Sequence, residues 1–237
     1  PDPWTLHLWH LNEGAIPVRD FAPGGTNLMV LTNGATLGNA SYQGFGTCLS
    51  TYDGGPAGNS GTGLADAYLS CLRSANGSAD NTALTYDDPV THAFTYEAIV
   101  HVEFDPLTTG TGSGLNGRVG VMQIVSGEND SGSDAAKRVW QFCINPIGTE
   151  NANPVVALEF INVYGGSPQI VQANIPTVGP DAIVSNRWYH VAVTYNGKPG
   201  TAENLKLYWT ALDPTRNQAN LIGVASLVNN LLSTTPD

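Results

Sequence analysis

A chain of 237 residues is long enough to bury a substantial core within one all-β unit. Only 12% of it is charged, twenty acids against nine bases for a net charge of −11. It therefore lacks the clustered Lys and Arg that displace counterions from nucleic acid or hold anionic lipid. No run of about 18 apolar residues is present to form a membrane-spanning helix.

Apolar and polar residues alternate at period two along most of the chain, with no long 3.6-residue pattern. The spacing predicts strands over Leu6–Leu11, Phe94–Phe104, Val119–Ser126, Arg138–Asn145, Val155–Tyr164, Gln169–Ile175, Trp188–Asn196 and Leu205–Trp209. In the clearest of them Phe94, Tyr96, Ala98, Val100, Val102 and Phe104 share one face. Thr95, Glu97, Ile99, His101 and Glu103 share the other. Two stretches read as long surface loops, Asp53–Asp66 and Leu107–Gly117. Asn196-Gly197 opens a hairpin-like connection of moderate length. The tail after Ile222, with Val224-Ala225-Ser226-Leu227-Val228, reads as a short strand or helix. Many strands without helices predict a two-sheet antiparallel β-sandwich. No repeat or Pro-rich linker divides the chain, so residues 1–237 read as a single domain with elaborations around 51–90 and 107–117.

The three cysteines are Cys48, Cys71 and Cys143. Cys48 and Cys71 are the candidate disulfide in an oxidising compartment, and Cys143 in Val139-Trp140-Gln141-Phe142-Cys143-Ile144 reads as a small buried hydrophobe. The chain begins at Pro1, which fits a processed mature protein or an excised fragment. Asn39, Asn76 and Asn129 stand in Asn-x-Ser sequons.

Several segments resemble, in order, the laminin-G-like domains of the concanavalin A-like superfamily. Thr5-Leu6-His7-Leu8-Trp9-His10-Leu11-Asn12-Glu13-Gly14 is similar to the opening strand of that family, and Asp20 to Leu28 to the turn after it. Leu31-Thr32-Asn33-Gly34-Ala35-Thr36, Phe94-Thr95-Tyr96-Glu97-Ala98-Ile99-Val100, Arg187 to Gly197 and Leu205-Lys206-Leu207-Tyr208 are similar to its later segments. The resemblance covers roughly Thr5 to Tyr208 and implies a concanavalin A-like jelly roll. It also implies a structural calcium near the Asp20 turn, with Asp20 and Asn27 as candidate ligands. Two departures stand out. A longer segment begins at Trp209-Thr210-Ala211-Leu212-Asp213-Pro214 where the family has a short turn, and the acidic closing strand is missing. A missing strand would leave a C-terminal sheet edge open to self-assembly.

Glycan cleavage on this fold takes acids at period two on one strand, and Glu97 with Glu103 and Asp105 is the nearest match. Ile99 and His101 fill positions where acids are wanted. The five histidines, His7, His10, His92, His101 and His190, show no zinc-ligand spacing. Tyr52, Tyr68, Tyr164 and Trp209, at strand ends and in loops, are the candidates to line a glycan groove, whereas Trp9, Trp188 and Tyr195 read as core. The reading that follows is a secreted or cell-surface binding and adhesion module without catalysis. Its partner is a carbohydrate or another extracellular protein surface. A structural subunit of an extracellular filament, sheath or surface layer is the alternative, and a glycan-cleaving enzyme of the same fold the third.

Overall fold

The computed structural model describes residues 3–23, 25, 28–32, 35–51, 68–70, 87–102, 122–128, 138–150, 153–164 and 166–231. The chain forms two compact units, Pro1–Thr85 and Tyr86–Asp237. Among the described residues every regular element is a strand, and no helix is long and apolar enough to cross a membrane.

In the first unit β1 (Val18–Arg19), β2 (Leu28–Thr32), β3 (Thr36–Ala40), β4 (Thr47–Ser50) and β5 (Tyr68–Ser70) form two small sheets. One has the order β1-β2-β5 and the other pairs β3 with β4. The strand predicted over Leu6–Leu11 shrinks to one bridge, Trp9 to Asp20. Leu11, at the end of that segment, takes φ 59°, in the left-handed region and outside the extended backbone of a regular strand.

The second unit is a two-sheet antiparallel β-sandwich. Its strands are β6 (Phe94–Val102), β7 (Met122–Glu128), β8 (Arg138–Glu150), β9 (Asn153–Tyr164), β10 (Ser167–Asn174), β11 (Arg187–Tyr195), β12 (Leu205–Ala211) and β13 (Leu221–Ala225). One sheet runs β13-β12-β11-β6 and the other β10-β9-β8-β7. Period-two alternation sends Phe94 and Val102 of β6, and Tyr189, Val191, Val193 and Tyr195 of β11, to the inner face. From the other sheet Trp140, Phe142 and Ile144 meet Val156, Leu158 and Phe160 there, and both sets belong to one core. Contact between the sheets is direct. Tyr96 stacks on Trp140 with centroids 4.5 Å apart, and Phe94 meets Phe160 at 5.3 Å. A fully buried phenylalanine such as Phe160 contributes about 1.5–3 kcal/mol relative to exposure.

Several strand boundaries depart from the sequence pattern. The strand predicted at Val119–Ser126 lies at Met122–Glu128, and that at Leu205–Trp209 runs on to Ala211. The extension follows from a partner outside the strand, because Ala211 N donates to Asp181 Oδ1 at 2.9 Å. The tail supplies β13, an apolar strand paired antiparallel with β12 at the edge of its sheet.

Connections are held by buried amides. Asn204 donates to the carbonyls of Lys198 (2.8 Å) and Leu227 (2.7 Å) and accepts from Leu227 N (2.6 Å). That pins the β11–β12 loop to the segment after β13. Gly197 in the same loop has φ +75°, and a Cβ there would lie 1.9 Å from Thr91 O. Only glycine lets the loop approach the turn at residues 88–93 so closely.

Candidate functional site

The outward face of the β13-β12-β11-β6 sheet carries aromatic, imidazole and carboxylate side chains that solvent can reach. The register of β6 on β11 sets Glu97 opposite Ala192, Ile99 opposite His190, and His101 opposite Trp188. Across β12, Ala192 is paired with Tyr208, His190 with Thr210, and Thr194 with Lys206. Because Tyr189, Val191, Val193 and Tyr195 point inward, their odd parity turns Trp188, His190, Ala192 and Thr194 outward.

Two contacts organise this face. His190 Nε2 lies 3.2 Å from Glu97 Oε2, with the Glu97 side chain 66% and the His190 side chain 29% accessible. His101 lies against Trp188 with ring centroids 4.7 Å apart. Ala192 and Thr210 are buried, and Thr210 Oγ1 accepts from Asn220 N at 2.8 Å. The result is an aromatic-imidazole platform beside a carboxylate-imidazole pair on central strands. A flat ligand with both an apolar face and hydroxyl groups would meet complementary groups there. Among the described residues the strands of this face present one carboxylate, Glu97, whereas glycoside hydrolysis takes a pair.

Of the candidate groove aromatics, only Tyr164 is shown exposed, 47% accessible at the end of β9. Trp209 must be corrected. It is fully enclosed in the core, against Tyr189 at 4.3 Å, and its Nε1 donates to Asp181 O at 3.1 Å. It belongs to the inner-facing set with Leu205 and Leu207, so its parity excludes it from any surface groove. Tyr68 stands in β5 and Tyr52 lies outside the described residues. Trp188 makes the opposite correction, from expected core residue to outward platform. The signal was available in its parity relative to Val191 and Val193, whereas its partner His101 needed the cross-strand register.

Asp20, the acid nominated for calcium, is turned inward. Its Oδ1 accepts from Leu8 N (2.9 Å) and Ala22 N (3.0 Å), and its Oδ2 from His7 Nδ1 (2.8 Å). Burial acts to raise its pKa, but the hydrogen bonds from His7, Leu8 and Ala22 outweigh it and hold the carboxyl below the usual value. This donor set fits a carboxylate acceptor and does not fit a cation. Gly25 packs so closely that a Cβ would lie 2.6 Å from Asp20 Cγ. Asn27 lies outside the described residues, and among those described no group of three or more His, Cys, Asp or Glu is arranged to hold a metal ion. Cys48 sits in β4 with Sγ 3.3 Å from Ala40 O, while Cys71, Glu103, Asp105 and the loops at 53–66 and 107–117 lie outside the described residues.

Comparison with known proteins adds no relative: no family model, curated protein or solved structure matches the chain.

Proposed function

We propose that this chain is an extracellular binding module that recognises a neutral carbohydrate on the outward face of the β13-β12-β11-β6 sheet. The observation that carries this reading is the Trp188–His101 platform set beside the solvent-accessible Glu97–His190 pair. An indole offers its face to the apolar side of a sugar ring, and a carboxylate and an imidazole accept and donate to ring hydroxyls. Neutrality of the ligand follows from charge. With nine basic residues in 237 and a net charge of −11, the chain has little with which to hold an anionic glycan. The sandwich fold and the segment resemblance to laminin-G-like domains support the same class.

The test is a screen of neutral oligosaccharides followed by calorimetry on the strongest binder. Trp188→Ala should weaken binding at least tenfold, and Glu97→Gln about threefold to tenfold, with the melting temperature nearly unchanged for Glu97→Gln. If the wild-type chain binds no neutral glycan, or Trp188→Ala binds as tightly as wild type, the reading is wrong.

A further inference from the structure

After β13 the chain leaves its sheet, and residues 226–231 run on in irregular backbone that joins no strand ladder. Side chains from four places in the second unit hold the segment instead. Gln169 of β10 donates to Ser226 O and accepts from Val228 N, both at 2.8 Å. Asn204, just before β12, donates to Leu227 O at 2.7 Å and accepts from Leu227 N at 2.6 Å. Asn162 of β9 donates to Asn229 O at 3.0 Å, and Tyr195 of β11 donates to Asn230 Oδ1 at 2.7 Å. Gln169 and Asn162 stand in one sheet, Tyr195 and Asn204 in or beside the other, so the segment bridges both.

Such a grip can let go without breaking either sheet. Gln169 pairs with Asn162, and Tyr195 with Phe94 and Leu205, through their own strands. Apolar anchorage is confined to Leu227 and Leu231, which are buried in the core, whereas Val228 between them is 58% exposed. Holding irregular backbone in one conformation costs entropy that opposes these contacts. The seat also carries a defect, because Asn162 Oδ1 is buried without a hydrogen-bond partner among the described residues. Lifting the segment off that same amide opens a route for water to its oxygen, which lowers the cost of release.

We propose that residues 226–231 form a releasable clasp, which opens as one unit while both sheets stay folded. Closed, it ties β10 to the β11–β12 loop and seats Leu227 and Leu231 in the core. Open, it bares the side-chain amides of Gln169, Asn204 and Asn162. Segments held by few apolar contacts and by bonds outside the ladders are the ones that open below the global unfolding free energy. The device belongs to the second unit alone and does not rest on the carbohydrate reading.

Amide hydrogen exchange on the full chain at neutral pH, resolved by NMR, tests it. The amides of Leu227 and Val228, although hydrogen-bonded, should exchange at least about tenfold faster than those of Val191 and Val193 in β11. Gln169→Ala removes one donor and one acceptor from the clasp. It should speed both clasp amides about a further tenfold, while β9 and β11 keep their wild-type rates. Val90→Ala, at a position 85% exposed in the turn before β6, should change neither. Equal protection of Leu227, Val228 and β11 in the wild type overturns the inference, because the segment would then open only with the whole unit. So does a Gln169→Ala chain whose clasp amides keep the wild-type rate, or whose β9 and β11 speed up as much as the clasp. The wild-type comparison decides the matter even if that variant does not fold.

Discussion

Asp20 in the first unit and Asp87 in the second are two enclosed aspartates, each beside one histidine, and they titrate in opposite directions. Their side chains are 0% and 1% accessible, and the carboxylate-to-Nδ1 distances are 2.8 Å to His7 and 3.1 Å to His92. Burial is the largest influence on both, and it raises both. At Asp20 the bonds from His7, Leu8 N and Ala22 N overcome it. At Asp87 His92 works against burial with less force, and the neighbouring charge of Asp88 adds to the rise. The difference teaches that enclosure and an imidazole do not by themselves decide the ionisation of a carboxyl; the backbone N–H donors and the charges beside it count as well.

The largest effect belongs to Asp20. Asp20→Ala leaves two backbone N–H groups and the His7 ring without their acceptor, and should destabilise the first unit by about 3 kcal/mol or more. Urea unfolding followed by tryptophan fluorescence would report it, and an unchanged midpoint would break the comparison. His7→Ala removes one donor of three and should cost less, about 1–2 kcal/mol. It should also narrow the difference between the two aspartates, by letting the Asp20 pKa rise toward its ordinary value.

The smallest effect belongs to Asp87, and there the sign reverses. A carboxyl whose folded pKa is raised binds its proton more tightly in the native state. Its ionisation therefore costs stability as pH climbs above the ordinary value of 3.8 and through the folded pKa. Asp87→Asn should be neutral or stabilising by up to about 1 kcal/mol at pH 7. The gain should vanish below that ordinary value, where the native acid is already protonated. Asp20 works the other way, since its contribution is complete above pH 3.8 and is lost as pH falls through its lowered pKa. Melting temperatures from pH 2.5 to 8 separate the two. An Asp87→Asn loss as large as that of Asp20→Ala at pH 7 would show that donors to Asp87 had been undercounted.

Much of the second unit was legible in the residues. The alternation in Phe94–Val102 places Phe94, Tyr96, Ala98, Val100 and Val102 toward the core, and Glu97, Ile99 and His101 away from it. The same alternation, applied to Arg187–Tyr195, identifies Trp188 as an outward residue. Reading tryptophan as core on hydrophobicity alone misses this, because burial of a strand residue is set by parity before size. Trp209 is the converse. Its place near a predicted strand end suggested a surface, but Asp181 receives both its Nε1 and the amide of Ala211, and the strand continues inward past it.

The sequence by itself determined that the chain is all-β, which residues of its long strands face a core, and that any partner surface must tolerate a strongly acidic molecule. Those properties are local: periodicity and charge are carried by neighbouring residues. Only the tertiary structure decided that His190 meets Glu97, that Asp20 turns from solvent toward His7, and that residues 226–231 bridge both sheets. Each depends on cross-strand register or loop closure between residues far apart in sequence, 13 positions for His7 and Asp20 and 93 for Glu97 and His190. No pattern within one segment encodes that choice, because it is settled by which pairing buries the most apolar surface with its polar groups satisfied.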